Sequence, residues 1–179
     1  MDNDQASPRY DEIDLTILTH LQEDATVTNV ELAKRIGLSP SACLGRIRRL
    51  KEAGVIKRLT AILDEQKVGL EAVTFVFVTL SPHDRVTTET FLAHIHGLDN
   101  VQECYSISGK YDYLLKIIST SLAQYRNFVI DTLIEAPGVD KVETTVVLSN
   151  EKQTYQLPLL DSRLWQDRAT EAQERRVIP

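Results

Sequence analysis

Residues 37–50 read GLSPSACLGRIRRL, with three arginines inside four consecutive positions of a short amphipathic stretch. Stepping about 100° per residue puts Cys43, Leu44, Ile47 and Leu50 on one arc, the side that packs on neighbouring helices. Ser41, Ala42, Gly45 and Arg49 fall on the opposite arc, and Arg46 and Arg48 flank it. The outward face therefore begins small and ends cationic. Small side chains let a helix approach base edges, while arginine grips phosphate or pairs bidentately with guanine. A solvated helix face that merely happens to be basic has the same appearance, so the surroundings have to decide between the two.

Ser39 suits an N-cap, and Pro40 suits the first helical position, where a missing N–H costs little. Upstream, TNVELAKRIG pairs Thr28 with Glu31 as a capping box, faces Leu32, Ala33 and Ile36 inward, and ends at Gly37. Before that, YDEIDLTILTHLQED spaces Ile13, Ile17 and Leu21 four apart beside Leu18, with Asp11 and Glu12 at the positive end of the helix dipole. Three short helices, the last two joined by a tight glycine-containing turn, predict a helix-turn-helix. The run EAGVIKRLTAILD then predicts a strand through Val55, Ile56, Leu59, Ala61 and Leu63. Lys57 and Arg58 near its start either touch a sugar-phosphate backbone like a small wing or are ordinary surface charges.

Charge is divided sharply along the chain. Between Lys34 and Arg58 eight basic residues face the single acid Glu52, a local +7 that leaves −13 for the rest of a chain whose net charge is −6. Segregation of this kind fits a polyanion-binding module joined to one that does not bind, and it weakens the bland reading of the basic face. The 179 residues are 42% hydrophobic and 26% charged, which fits a globular protein with a real core. The opening MDNDQASPRYDEID is acidic and polar, no apolar run reaches bilayer length, and a cytoplasmic location is expected. Cys43 and Cys104 are expected to be two free thiols.

From Ala72 onward the periodicity changes. AVTFVFVTL, TETFLAHIHGL and VQECYSI read strand, helix, strand, and YDYLLKIIS, LAQYRNFVIDTLIEA and VDKVETTVVL repeat that order. Two tandem β-α-β units predict an α+β, ferredoxin-like βαββαβ sandwich with two helices on one side of four antiparallel strands. Val73, Phe75 and Phe77 alternate with Val76, Val78 and Leu80, so both sheet faces are apolar. Two helices cover only one of them. The other is expected to form a homodimer, most simply a two-fold one that presents two recognition helices to a pseudo-palindromic site.

LSPSACLGRIRRLKEAGVIKRLTAILD, with VQECYSISGKYDYLLKI and APGV further on, resembles the Lrp/AsnC family of regulators, nearest its leucine-responsive branch, from about Tyr10 to Leu157. The resemblance implies an N-terminal (winged) helix-turn-helix domain over 10–64 and a ferredoxin-like effector-binding and oligomerisation domain over 70–157, followed by an extension at 158–179. It implies double-stranded DNA and an amino-acid effector as partners, with dimers assembling further, often to octamers. The DNA-facing residues are expected to be Ser39, Ser41, Ala42, Gly45, Arg46, Arg48, Arg49 and Lys57. SGKYDY matches the family's effector motif, which carries Gly109, Tyr111 and Asp112 over as ligand-binding residues, with Thr144, Thr145 and Val146 opposite. Without the resemblance, S-G-K between two strands reads equally as a plain hairpin turn. Thr145 stands where leucine-responsive relatives carry tyrosine, so leucine is one candidate effector among the amino acids. In the extension, Leu160, Leu164 and Trp165 suggest either a short docking helix or a mobile tail.

No catalytic pattern emerges, and neither an enzymatic role nor a cofactor is expected. GxSxG, HExxH, CxxC and a phosphate-cradling glycine loop are all missing from the sequence. His94 and His96, two apart on a predicted helix, point in different directions, and no metal site is expected. Two functions stay open: a regulator of amino-acid metabolism genes that reads specific sites, and an architectural protein that wraps DNA with little sequence preference.

Overall fold

The computed structural model describes residues 10–159. They fall into two compact units, Ile62–Lys152 and a first unit made of the preceding residues together with the stretch from Gln153 onward. The chain thus passes between the units twice. Leu160, Leu164 and Trp165 lie outside the described residues.

The first unit is built from α1 (Glu12–Glu23), α2 (Asn29–Arg35) and α3 (Pro40–Glu52). Each start is capped as its sequence requires. Asp11 and Asp14 form a capping box on α1, Thr28 and Glu31 another on α2, and the Ser39 hydroxyl accepts the Ala42 N–H at the head of α3. Gly37, at φ 69°, gives the left-handed residue that ends α2 and allows the tight turn into α3. Ile17, Leu18, Leu32, Ala33, Cys43 and Leu50 form a small core. Leu44, expected in that core, is 47% exposed. The packed stripe of α3 runs through 43, 47 and 50, and Leu44 lies about 100° round from Cys43, beyond the edge that Ile47 marks.

The strand expected over 55–63 is not formed. Val55 and Ile56 send their N–H groups to the Leu50 carbonyl and pack on the helical core, so they finish α3 instead of opening a strand. Beyond them residues 57–64 are exposed and form no regular element, with Leu59 and Leu63 facing solvent. A strand needs a ladder partner, and no neighbouring segment among the described residues supplies one.

A later segment also belongs to the first unit. The Gln22 side-chain amide accepts the Leu157 N–H at 2.7 Å and donates to the Leu157 carbonyl at 3.2 Å, as a neighbouring strand would. Leu159 adds to the helical core. The last described residues thus form a strap on α1.

The second unit follows the order β1 (Ala72–Leu80), α4 (Arg85–His96), β2 (Val101–Ser106), β3 (Tyr113–Ser119), α5 (Leu122–Phe128) and β4 (Val139–Val146). A π-helical turn over Val129–Leu133 extends α5. All strand pairs are antiparallel, in the order β2-β3-β1-β4, which is the expected ferredoxin-like sandwich. Val76, Val78 and Leu80 bury against Phe91, Ile95, Leu115, Ile117 and Leu133. Val73, Phe75 and Phe77 point away from that core and remain half-buried. The APGV turn depends on Gly138 for two reasons. Its φ is 78°, and a Cβ there would lie 2.1 Å from Thr87 Cγ2 on α4.

Candidate nucleic-acid interface and ligand region

On α3, Ser41, Ala42, Gly45 and Arg48 are exposed, and the Ser39 and Ser41 hydroxyls lie 3.1 Å apart at its head. Lys57 is exposed just beyond the helix. Arg46 and Arg49 behave differently from the rest of the expected set, because both turn back toward α1. Arg46 Nη1 donates to Asp14 Oδ1 at 2.9 Å and to both Asp11 oxygens at 2.8 and 2.9 Å. Arg49 Nη2 donates to the other Asp14 oxygen, Oδ2, at 2.6 Å. The Asp14 side chain is 0% exposed, against 25% for Arg46 and 46% for Arg49. The outward arc of α3 is therefore Ser41, Gly45 and Arg48, and the two other arginines lie on its α1 flank.

The acids of this clamp were not singled out among the candidate site residues. The available signal was Asp14 itself, which stands three and four positions before Ile17 and Leu18 on the buried side of α1. A carboxylate at a core position requires cationic partners. Partial burial pushes the Asp11 carboxyl upward, but the Asp14 N–H and the Arg46 guanidinium outweigh it, and its pKa ends below the ordinary 3.8. The Arg46 guanidinium is held above its ordinary value chiefly by its bond to Asp14.

In the second unit, Gly109 lies in the β2–β3 connection at φ 124°, a conformation that favours glycine. Asp112 is committed locally: its Oδ2 accepts the Leu80 N–H at 2.8 Å, and Oδ1 lies 3.5 Å from His83 Nδ1. Tyr111 stacks near Phe77 at 4.9 Å and donates its hydroxyl to Glu143 at 2.6 Å, while Lys110 donates to that same hydroxyl at 2.8 Å. The Tyr111 bond, with Lys110 and Lys141 nearby, holds the Glu143 carboxyl below its ordinary value.

Thr144, Thr145 and Val146 do not form one wall. Thr144 pairs with Val76 and Val146 with Thr74, whose side chains face the helices, and the Thr144 hydroxyl meets Tyr125 Oη at 2.5 Å. Thr145 pairs with Phe75 on the opposite, open face, the side of Phe77 and its partner Glu143. Burial raises the Cys43 and Cys104 thiols, so neither is activated as a nucleophile. Among the described residues no cluster of three or more His, Cys, Asp or Glu is placed to hold a metal ion, and no helix is long and apolar enough to cross a membrane.

A capped helix-turn-helix with a small and cationic outward arc, joined to a ferredoxin-like sandwich, defines a DNA-binding regulator with a separate ligand-binding domain. The comparisons with known proteins agree: residues 10–57 match a winged helix-turn-helix DNA-binding family, and residues 73–157 match the Lrp/AsnC ligand binding domain. The chain belongs to the Lrp/AsnC family of transcriptional regulators. It is similar to the transcriptional regulator AzlB of Bacillus subtilis, 48% identical over 83% of this chain and 95% of that one. It is also similar to the leucine-responsive regulatory protein of Escherichia coli, 40% identical over 82% of this chain and 90% of the relative. Among solved structures, the regulator NMB0573 of Neisseria meningitidis, in complex with L-Met, superposes with a TM-score of 0.79 at 36% identity, over 83% of this chain and 96% of that one. The E. coli AsnC structure gives 0.76 at 26% identity, over 82% and 97%. The family is one of regulators, not of enzymes.

The clamp sets a pH expectation. The folded pKa of Asp11 is depressed, so its contribution to stability is fully present above 3.8 and is lost as pH falls through the lower folded value. Acid unfolding of the first unit, followed by circular dichroism, should shift to higher pH in Asp11→Asn; an unchanged acid midpoint contradicts this.

Proposed function

We propose that this chain is a sequence-specific regulator of amino-acid metabolism genes whose DNA binding responds to an amino acid. It acts in the cytoplasm as a homodimer, which assembles further to an octamer or another higher oligomer. The observation that carries the DNA half of this reading is the outward arc of α3, where Ser41 and Gly45 leave room for a base edge and Arg48 stands exposed beside them. Ser39, Ala42 and Lys57 border that arc and are assigned to backbone contacts. Arg46 and Arg49 contribute from its flank. The test is Arg48→Ala, measured against a duplex that the wild-type protein selects from a randomised pool. Binding weakens by ~1–3 kcal/mol, and specificity relaxes, if Arg48 reads a base. No loss at physiological salt would show a merely solvated face, and equal wild-type affinity for all duplexes would favour the architectural role.

For the effector, support comes from the matched ligand-binding domain and from L-Met in the Neisseria relative. We assign the amino acid to the neighbourhood of Gly109, Tyr111 and Asp112, with Thr145 on the open face of the last strand and with Thr144 and Val146, on its other face, reaching the ligand around the strand edge or from another copy of the chain. Asp112 Oδ1, which does not accept the Leu80 N–H and lies 3.5 Å from His83 Nδ1, is suited to an α-ammonium group. Calorimetric titration with the twenty amino acids, leucine and methionine first, identifies the ligand. Asp112→Asn keeps an acceptor for Leu80 but removes the charge, and it should weaken that binding by about tenfold. Undiminished affinity would move the site elsewhere.

The dimer is assigned to the open sheet face, where Val73, Phe75, Phe77 and Leu114 form an apolar strip. Sedimentation at micromolar concentration should show dimers or larger species. Monomer alone would remove this assembly.

A further inference from the structure

We propose that Asp14, an acid within a DNA-binding unit, is a specificity-determining positioning residue: its buried carboxylate fixes the rotation of α3, and so decides which side chains meet the bases. The inference rests on the reading that α3 recognises sequence, and it concerns a residue that touches no DNA.

Each Asp14 oxygen holds a different arginine of α3, Oδ1 taking Arg46 and Oδ2 taking Arg49. The two anchors are three residues apart, about 4.5 Å along the helix at 1.5 Å per residue. One anchor would leave α3 free to roll about it. Two anchors on a rigid carboxylate oppose both roll and slide. On the other side α3 is held along its length by apolar contact through Cys43, Ile47 and Leu50, which tolerates small rotations better than directional hydrogen bonds do, and at its head by one bond from Asn29 Nδ2 to the Pro40 carbonyl at 2.8 Å. Stepping about 100° per residue puts Arg46 and Arg49 on the same flank, so pulling both toward α1 turns Ser41, Gly45 and Arg48 outward.

The charges make this testable. Two arginines and two aspartates cancel locally, so the clamp adds little net attraction for phosphate. If Asp14 were only a nearby negative charge, removing it would strengthen binding to every duplex, as counterion release requires. A positioning role predicts the reverse for the selected sequence alone.

The experiment uses the full-length protein with Asp14→Asn, nearly isosteric but uncharged. Affinities for the pool-selected duplex and for random duplex are measured by fluorescence anisotropy and corrected for the folded fraction seen by circular dichroism. The selected-to-random ratio should fall by about tenfold or more, the scale of one lost base contact, while random-duplex affinity holds or rises. An unchanged ratio overturns the proposal, whether both affinities rise, as for simple repulsion, or fall together, as for a purely structural role. If Asp14→Asn does not fold, the exposed half of the clamp decides. Asp11→Asn should lower the ratio by about two- to fivefold, and an unchanged or raised ratio overturns the proposal. Absence of discrimination in the wild-type protein removes the sequence-specific reading itself. Discrimination that survives Asp14→Asn removes the clamp alone.

Discussion

A carboxylate with no solvent access is costly to bury without a cationic partner on each oxygen, and Asp14 has one on each. The helical unit is organised around that demand. Among the described residues its buried core is small, six side chains drawn from three short helices, with partly buried apolar residues packed around them. Apolar burial is non-directional, so by itself it does little to fix how one helix is rotated against another. The ion pairs supply direction where the core supplies cohesion. Losing Asp14 would leave Arg46 to Asp11 alone and deprive Arg49 of its carboxylate, and losing either arginine would leave a buried carboxylate partly unmatched, a change that typically costs several kcal/mol. On the proposed reading of α3, cohesion and recognition meet in the same side chains.

Most of the local structure could be read from the sequence because it is governed by neighbours. Thr28 with Glu31, Ser39 before Pro40, and Gly37 are short-range signals, and all three cap or end a helix where expected. The alternation in β1 likewise fixed which side chains pack under the helices. The clamp could not be read this way, since Arg46 and Arg49 lie 32 and 35 positions from Asp14. A wheel drawn for α3 alone leaves both arginines on or beside the outward face, and only the position of α1 pulls them aside. The expected strand over 55–63 failed for a related reason: β-branched and apolar content describes what a strand could be made of, but not whether another strand is there to pair with it.

The ligand region shows what resemblance carries and what geometry corrects. A family motif transfers as consecutive residues, yet consecutive residues on a strand point to opposite faces. Thr144 and Thr145 cannot both line one pocket on a single sheet. Thr144 belongs to the helix side, bonded to Tyr125, and Thr145 belongs to the open side with Glu143 and Tyr111. A ligand that uses both must reach around the edge strand β4, or meet one of them through another copy of the chain. Asp112 is constrained as well, because one oxygen already completes the end of β1.

The clamp also changes how an acidic chain is to be understood as a DNA-binding one. Of the eight cations between Lys34 and Arg58, two are turned toward acids of α1, so fewer are available to phosphate than composition suggests. The acidic remainder repels DNA only weakly beyond about 8–10 Å, where salt screens it. Even so, one helix with a modest surplus of charge offers limited affinity. The dimer proposed on the open sheet face would overcome this, because engaging a second half-site becomes intramolecular once the first is bound, and affinity would rise without any new cation. Such a design would keep non-specific attraction low and, on the proposed reading of α3, leave discrimination to the fit of Ser41, Gly45 and Arg48 against the bases, a fit only as good as the angle at which α3 is held.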